Sequence, residues 1–171
     1  MRDLVVKIVA SGLEELAARC KKMGKYFFPE PIFLGLHKLV RMTSVELVFI
    51  EDAKMLLCFR GDKTPYYKNM WNIPGSYVRR NETFLDTAIR VAKDEVGIDL
   101  ESIRQIEAKE WMDHPVGRPI SIFFLAFPKE EIIETKRIRF FRVEDLPRNT
   151  PPLQIEFAKN YLMAQSCLFK K

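Results

Sequence analysis

Apolar and polar residues alternate in short blocks along the chain, and the spacing within each block predicts its secondary structure. Runs rich in valine, isoleucine, leucine and phenylalanine, bounded by turn residues, predict strands. They cover residues 45–50, 55–60, 71–78, 103–112, 120–127 and 138–143. Glu51 and Asp52 are expected to join the first two strands as a hairpin. The polar loop 61–69 carries two tyrosines and is placed to line a pocket.

Residue patterns that predict helices lie before and after these strands. Ser11 and Glu14 form a capping box, which predicts a helix from residue 11 to about residue 24. Pro31 suits the first turn of a second helix over residues 32–42, because a missing amide proton costs nothing there. A last helix is predicted to open at Thr150 and Pro151 and to run to about residue 168.

One further helix is predicted between the strands. Thr83 can cap it, Asp86 follows three residues later in its first turn, and Gly97 supplies the stop. Apolar residues recur at the spacing that places them on one face, which we expect to be the core face: Leu85, Ala88, Ile89, Ala92 and Val96. This helix interrupts a series of strands, so the order of elements predicts an α/β protein with a mixed sheet between helices.

Length and composition limit the class of protein. A chain of 171 residues with 47% hydrophobic residues can bury one core, so we predict a single domain over 1–171, with a helical lead-in at 1–42. No apolar run approaches the roughly 20 residues that cross a bilayer, and the first residues lack a signal-peptide pattern. The three cysteines are widely separated, which favours reduced thiols. We therefore expect a cytoplasmic protein without a membrane partner.

The net charge of +5 attracts anionic partners. Basic residues are scattered among acidic ones apart from short clusters, so the sequence does not predict a dedicated nucleic-acid-binding surface. A solvated surface of mixed charge is the simplest interpretation.

Charged residues gather near the end of the predicted central helix. Arg90 and Asp94 are one turn apart, and Glu95 follows Asp94 directly. Two neighbouring carboxylates repel each other unless positive charge lies between them, and both Arg90 and a divalent cation can supply it. Because the available donors are oxygens, Mg²⁺ or Mn²⁺ is favoured over zinc. The alternative is that both carboxylates are solvated helix charges.

This segment resembles the Nudix box. In that pattern a glycine is followed after five residues by glutamate, and after seven more by Arg-Glu-aliphatic-any-Glu-Glu-any-Gly-aliphatic. The identical positions in this chain are Glu82, Arg90, Glu95 and Gly97, with Asp94 as a conservative replacement. Ser76 stands at the first glycine, and Val91 stands at the glutamate that follows the arginine.

The resemblance extends over most of the chain, from about residue 32 to 127 and through the late strand at 139–147. Its layout is similar to that of GDP-mannose mannosyl hydrolases, which also lack the glutamate that Val91 replaces. The resemblance implies a Nudix-like α/β/α sandwich with a mixed β-sheet, an N-terminal helical extension and a C-terminal helix. It also implies hydrolysis of a nucleoside diphosphate linked to another group, with a nucleotide sugar as the first candidate substrate.

The resemblance further implies roles for individual residues, with Mg²⁺ or Mn²⁺ as the cofactor. Glu95 would be the principal metal ligand, assisted by Asp94 and by the backbone carbonyl of Gly75. Arg90 would orient the carboxylates as part of the catalytic machinery, with Glu82 in support. Arg60, Arg79 and Arg80 are candidates for contacts to the phosphates of the substrate. From its residue type alone, Trp111 is a further candidate substrate contact, as a ring that could stack on a base or sugar. Tyr66, Tyr67 and Trp71 are further rings that could stack on a base or sugar.

The general base is left open by the pattern. Val91 can neither ligate a metal nor accept a proton, and residues 134–137 lack the Gln-His pair that the GDP-mannose enzymes place there. The candidates are Glu134, which we take first, Glu130, Glu131 and His114. The alternative function is a Nudix domain that has lost turnover and acts as a nucleotide-binding sensor or interaction module. A homodimer is compatible with either function.

Overall fold

Eight strands form two four-stranded sheets in the computed structural model, which describes residues 2–22, 30–62, 66–115 and 117–168. The strands are β1 (Thr43–Val48), β2 (Ile50–Glu51), β3 (Lys54–Phe59), β4 (Trp71–Asn72), β5 (Gly75–Tyr77), β6 (Leu100–Glu110), β7 (Ile120–Pro128) and β8 (Ile138–Phe141). All six predicted strand regions are present. The run 71–78 is divided into β4 and β5, because Pro74 cannot donate to a strand ladder.

The first sheet is mixed and the second is antiparallel. In the first sheet the strand order is β5-β1-β7-β6, with β1 and β7 parallel and the outer pairs antiparallel. In the second sheet, β3 pairs with β2 at its start, with β4 at its end and with β8 along residues 55–58. The α/β class and the mixed sheet predicted from the sequence are confirmed. The division into two sheets was not predicted.

The chain divides into two compact units, Met1–Leu36 and His37–Lys171. The first unit contains helix α1 (Arg2–Lys22) and most of α2 (Glu30–Leu39). The predicted start of the first helix at Ser11 is wrong, because the apolar residues before it continue the helix and leave Ser11 in its interior. Its predicted end at residue 24 lies outside the described residues. No helix in the described part of the chain is long and apolar enough to span a membrane.

The second unit contains α3 (Phe84–Val91) and α4 (Pro152–Leu168). The predicted capping box at Thr83 is confirmed: its hydroxyl accepts from the Asp86 N–H at 3.1 Å, and the Asp86 carboxylate accepts from the Thr83 N–H at 2.8 Å. The predicted core face of α3 is partly wrong, because Leu85 is 52% exposed and Ile89 is 48% exposed. The buried face instead contains Thr87, Ala88, Val91 and Ala92.

Two apolar clusters lie on opposite faces of β1, because successive strand residues point to opposite sides. Val45 and Leu47 pack with Ala88 and Val91 of α3. On the other face, Val48 packs in a cluster that includes Phe157 of α4. This packing fixes α3 against the strand next to β5, and it thereby places the end of α3 beside the Pro74-Gly75 bend.

Candidate active site

The carboxylate of Glu95 lies against the glycine bend at the start of β5. The backbone N–H of Gly75 donates to Glu95 Oε2 at 3.3 Å. Burial raises the pKa of Glu95, while the positive charge of Arg60 and the Gly75 N–H lower it. The structure thus brings together Glu95 and Gly75, two residues that the sequence placed in one metal site.

A π-helical turn brings Glu95 to this position. The α-helical part of α3 ends at Val91, and the turn covers Ala92–Val96. Gly97 closes the turn with a φ of 85°, and its N–H donates to the carbonyl of Ala92 at 2.8 Å. Such turns are frequent at functional sites. Sequence reasoning missed this π-helical turn, because a glycine that follows regularly spaced apolar residues predicts the end of an α-helix equally well.

Arg90 is held by Glu82 and β5. Its Nε and Nη2 donate to the two carboxylate oxygens of Glu82 at 2.7 and 2.8 Å. Its remaining contacts are to the Ser76 hydroxyl at 3.1 Å and the Tyr77 carbonyl at 3.0 Å. Hydrogen bonds from Arg90 lower the pKa of Glu82 to about 2. These contacts of Arg90 connect the loop before α3 to β5. The positive charge of Arg90 also lowers the pKa of Glu95.

Asp94 and Val91 differ from Glu95 in their surroundings. Asp94 is exposed, whereas Val91 is 1% exposed and packs in the core.

No group of three or more His, Cys, Asp or Glu side chains in the described ranges could hold a metal ion. Magnesium commonly takes only one or two protein carboxylates and completes its shell with water and substrate phosphates. Glu95, Asp94 and the Gly75 carbonyl supply oxygen donors of that kind, so the residues fit the cation.

Sequence reasoning missed Glu46, an acidic residue in the middle of β1. Its Oε1 accepts from the hydroxyls of Ser44 at 2.9 Å and Ser121 at 3.1 Å. A Cβ on Gly75 would lie 1.8 Å from Glu46 Oε2, so only glycine fits opposite this carboxylate. Burial raises the pKa of Glu46 to about 7, against a lowering by its hydrogen bonds and Arg60. The signal in the sequence was one charge inside the apolar run 45–50.

Arg60 lies close to Gly75 and to the carboxylates of Glu46 and Glu95. Its Nη2 donates to the Gly75 carbonyl at 3.5 Å, and its charge lowers the pKa of both Glu46 and Glu95. Gly75 therefore has Glu95 on its N–H, Arg60 on its carbonyl and Glu46 against its Cα. The arrangement combines a buried carboxylate with a cation, which suits a ligand that carries both metal-binding oxygens and negative charge.

The other predicted site residues make the following contacts. Arg79 is 3.6 Å from Glu82 in an ion pair, and Arg80 is exposed. Trp111, a predicted substrate contact, is 5% exposed, and its ring packs edge to face against Phe123 in the core, with the centroids 5.9 Å apart. Glu134 is exposed, and its carboxylate accepts from the Phe140 N–H at 2.7 Å.

The fold and the site together define a Nudix protein. The family model described as "NUDIX domain" matches residues 40–163 of this chain. That range includes the capped helix α3, the Gly75 bend and the Glu95 carboxylate. The chain belongs to the NUDIX domain family, and its class is that of the Nudix hydrolases.

Solved structures share this fold. The chain is similar to a MutT NUDIX hydrolase from Burkholderia pseudomallei, with a TM-score of 0.58 and 20% identity over 70% of this chain and 97% of that one. It is also similar to a NUDIX hydrolase from Nitrosomonas europaea, with a TM-score of 0.57 and 20% identity over 74% of this chain and 72% of the other. At these identities the likeness shows the fold alone.

A curated relative is more similar in sequence over a shorter range. The low-salt glycan biosynthesis protein Agl8 from Haloferax volcanii is 38% identical over 61 residues, which is 36% of this chain and 38% of that protein. The match therefore spans well under half of either protein.

Proposed function

We propose that the protein hydrolyses a nucleoside diphosphate linked to another group, with a divalent cation as cofactor and a nucleotide sugar as the preferred substrate. The observation that carries the proposal is the half-buried Glu95 carboxylate on the N–H of Gly75, with Arg60 on the carbonyl of the same residue. The resemblance to GDP-mannose mannosyl hydrolases and the partial match to a glycan biosynthesis protein support the nucleotide sugar.

The chain's own residues would act in three ways. Glu95, Asp94 and the Gly75 carbonyl would hold Mg²⁺ or Mn²⁺, which when bound stabilises the charge on the diphosphate. Arg60 would contact the diphosphate oxygens, with Arg79 and Arg80 as further contacts. Arg90 would hold the loop before α3 in place through Glu82 and Ser76, and thereby keep Gly75 beside Glu95.

The general base is proposed among the late-loop glutamates. Glu130, Glu131 and Glu134 are exposed, which leaves room for movement toward a bound substrate. His114 is half-buried, and burial lowers its pKa to about 4, so it is neutral at pH 7. We expect replacement of the three glutamates by glutamine to lower kcat more than His114→Ala does, and the reverse order would refute this assignment.

The experiment that tests the function is turnover of a substrate panel with Mg²⁺ or Mn²⁺. Nucleotide sugars, dinucleotides and nucleoside triphosphates are incubated with the purified protein, and products are followed by phosphorus NMR. We expect turnover that Glu95→Gln abolishes and that the exposed control Glu101→Gln leaves unchanged. In ¹⁸O-labelled water, label in the sugar product shows attack at the anomeric carbon, and label in a phosphate product shows attack at phosphorus.

The second candidate function is a nucleotide-binding sensor. The burial of Val91 favours it, because the position that holds a glutamate in the Nudix pattern has its side chain in the core. Tight binding of one nucleotide without any product would favour this function over hydrolysis. The predicted cytoplasmic location is compatible with both the hydrolase and the sensor. Cys58 is a free, buried cysteine, as expected for a thiol in a reducing compartment.

A further inference from the structure

Helix α1 exposes most of its large apolar side chains to solvent. A surface helix usually turns such side chains toward the core and leaves polar ones outside. Six large apolar residues of α1 are instead more than half exposed: Leu4, Val5, Val6, Ile8, Val9 and Leu13. A contiguous exposed apolar surface of this kind marks a place that another molecule covers.

Four apolar residues of α1 follow the repeat of a helix-pairing interface. They are separated by three, four and three residues, which is the spacing of the a and d positions in a heptad. We call this set the α1 seam: Val6, Val9, Leu13 and Leu16. At 100° per residue the four side chains lie on one face about 80° wide. The first three are exposed and Leu16 is half-buried, so most of the seam is open.

The spacing of the α1 seam is self-complementary. It is three, four and three from either end, with its centre at Ser11. Two copies that pair antiparallel about this centre place Val9 of one copy level with Leu13 of the other. Val6 is then level with Leu16 of the other copy. A two-fold interface needs this property, because each contact between two residues occurs twice. A second copy of the chain therefore fits every layer of the seam.

The charges of α1 favour the antiparallel arrangement. Lys7 of one copy is then level with Glu15 of the other. A parallel pair would instead place Glu14 and Glu15 level with the same two residues of the second copy, and like charges repel. The dipoles of two antiparallel helices also oppose each other, which is favourable.

Gly12 indicates that another backbone comes close to the centre of the seam. It lies in the interior of α1, where glycine is among the poorest helix formers. Its φ is not left-handed, and a Cβ built on it would meet no atom of the described residues within 4 Å. Contacts within the described part of the chain therefore do not require a glycine here. The close approach of a second helix does, since glycine lets a backbone come near.

We propose that α1 is the surface through which two copies of this protein form an antiparallel homodimer, with the α1 seam at its centre. Val9 and Leu13 form the two central layers, and Gly12 lies beside them. The dimer forms whether or not the protein turns over a nucleotide, because no residue of the seam belongs to the candidate active site.

The test measures the monomer–dimer equilibrium of the full-length protein by sedimentation velocity over a range of concentrations. The like-charge variant combines Val9→Lys with Leu13→Lys, and the opposite-charge variant combines Val9→Lys with Leu13→Glu. Position 9 of one copy faces position 13 of the other, so the first variant has repulsion in both layers and the second has attraction. The control combines Leu4→Lys with Ile8→Lys, two exposed residues outside the seam. Circular dichroism checks that each variant retains its helix content.

We expect the wild type to form dimers, and the like-charge variant to raise the dissociation constant of the dimer by about 100-fold or more. The opposite-charge variant should dimerise at least about tenfold more tightly than the like-charge variant, because its introduced charges attract across the interface. The control should dimerise as the wild type does, because its lysines lie away from the second copy.

A wild type that is monomeric at all concentrations overturns the proposal, and so does a like-charge variant that dimerises as the wild type does. An equal loss in the two seam variants would refute the antiparallel pairing. An equal loss in the control would show association through any apolar surface, which also overturns the proposal. A monomeric wild type that floats with phosphatidylcholine vesicles would assign α1 to a lipid surface instead.

Discussion

Replacing Glu46 with glutamine tests the electrostatics of the site without changing its shape. In the folded protein the pKa of Glu46 is raised from its usual 4.5 to about 7, chiefly by burial. The folded state therefore binds this proton more tightly than the unfolded state does. The carboxyl group is compatible with folding below pH 4.5, and its ionisation opposes folding as the pH rises to about 7. Glutamine has the same size and no charge to bury.

Each unit of pKa difference corresponds to about 1.4 kcal/mol, so this shift corresponds to an upper value of about 3 kcal/mol. We expect Glu46→Gln to have nearly the wild-type free energy of unfolding at pH 4.5 and to be more stable by up to about 3 kcal/mol at pH 8. Urea unfolding in EDTA measures the difference, which corresponds to a midpoint shift of about 1.5 M. Glu51→Gln, at an exposed position of β2, is the matched control.

A stability difference of the same size at pH 4.5 and pH 8 would contradict this reasoning, since only a charge-dependent effect changes over that range. A variant less stable than the wild type at pH 8 would show that the hydrogen bonds from Ser44 and Ser121 outweigh the cost of burying the charge.

Three further predictions follow from packing. Val91→Glu restores the Nudix consensus but places a carboxylate in the core, so we expect it to lower the free energy of unfolding by several kcal/mol. A stable variant with higher turnover would contradict this expectation. Gly75→Ala should lower stability, because its Cβ would meet the Glu46 carboxylate, and the double variant with Glu46→Ala should recover much of the loss in a thermal melt. Leu85→Lys should change stability by less than about 0.5 kcal/mol, whereas Ala88→Lys should be strongly destabilising by urea unfolding, and equal effects would refute the observed face of α3.

The parts of the fold that follow from local pattern could be predicted from the sequence. The strand runs, the Thr83 cap and the Gly97 stop depend on residues that are neighbours in the chain. The buried face of α3 could not be predicted in full, because Leu85 and Ile89 are apolar but about half exposed. Which apolar stripe is buried depends on the position of β1, and the helix spacing contains no information about that.

In the candidate site, too, the residues of one local motif could be predicted from the sequence, whereas those brought together by strand pairing could not. Glu95, Arg90 and Glu82 could be identified because they share one continuous motif. Glu46 could not, because its relation to Gly75 exists only after β1 and β5 pair, with these two residues opposite each other. The residue type of Trp111 predicts a substrate contact, whereas its burial and the hydrogen bond from its indole N–H to Ser121 depend on where β7 lies.

The turn at Ala92–Val96 has a consequence for insertions and deletions near the metal-binding carboxylates. A π turn accommodates one residue more than an α turn, and each helical residue advances the side chains by about 100°. Shortening the chain by Lys93 would allow an ordinary α-helix to continue through the segment, and Glu95 would then rotate off the Gly75 N–H. The orientation of the carboxylate thus depends on the number of residues in this turn, and a one-residue length change is expected to move Glu95 relative to the Gly75 N–H even with every motif residue still present.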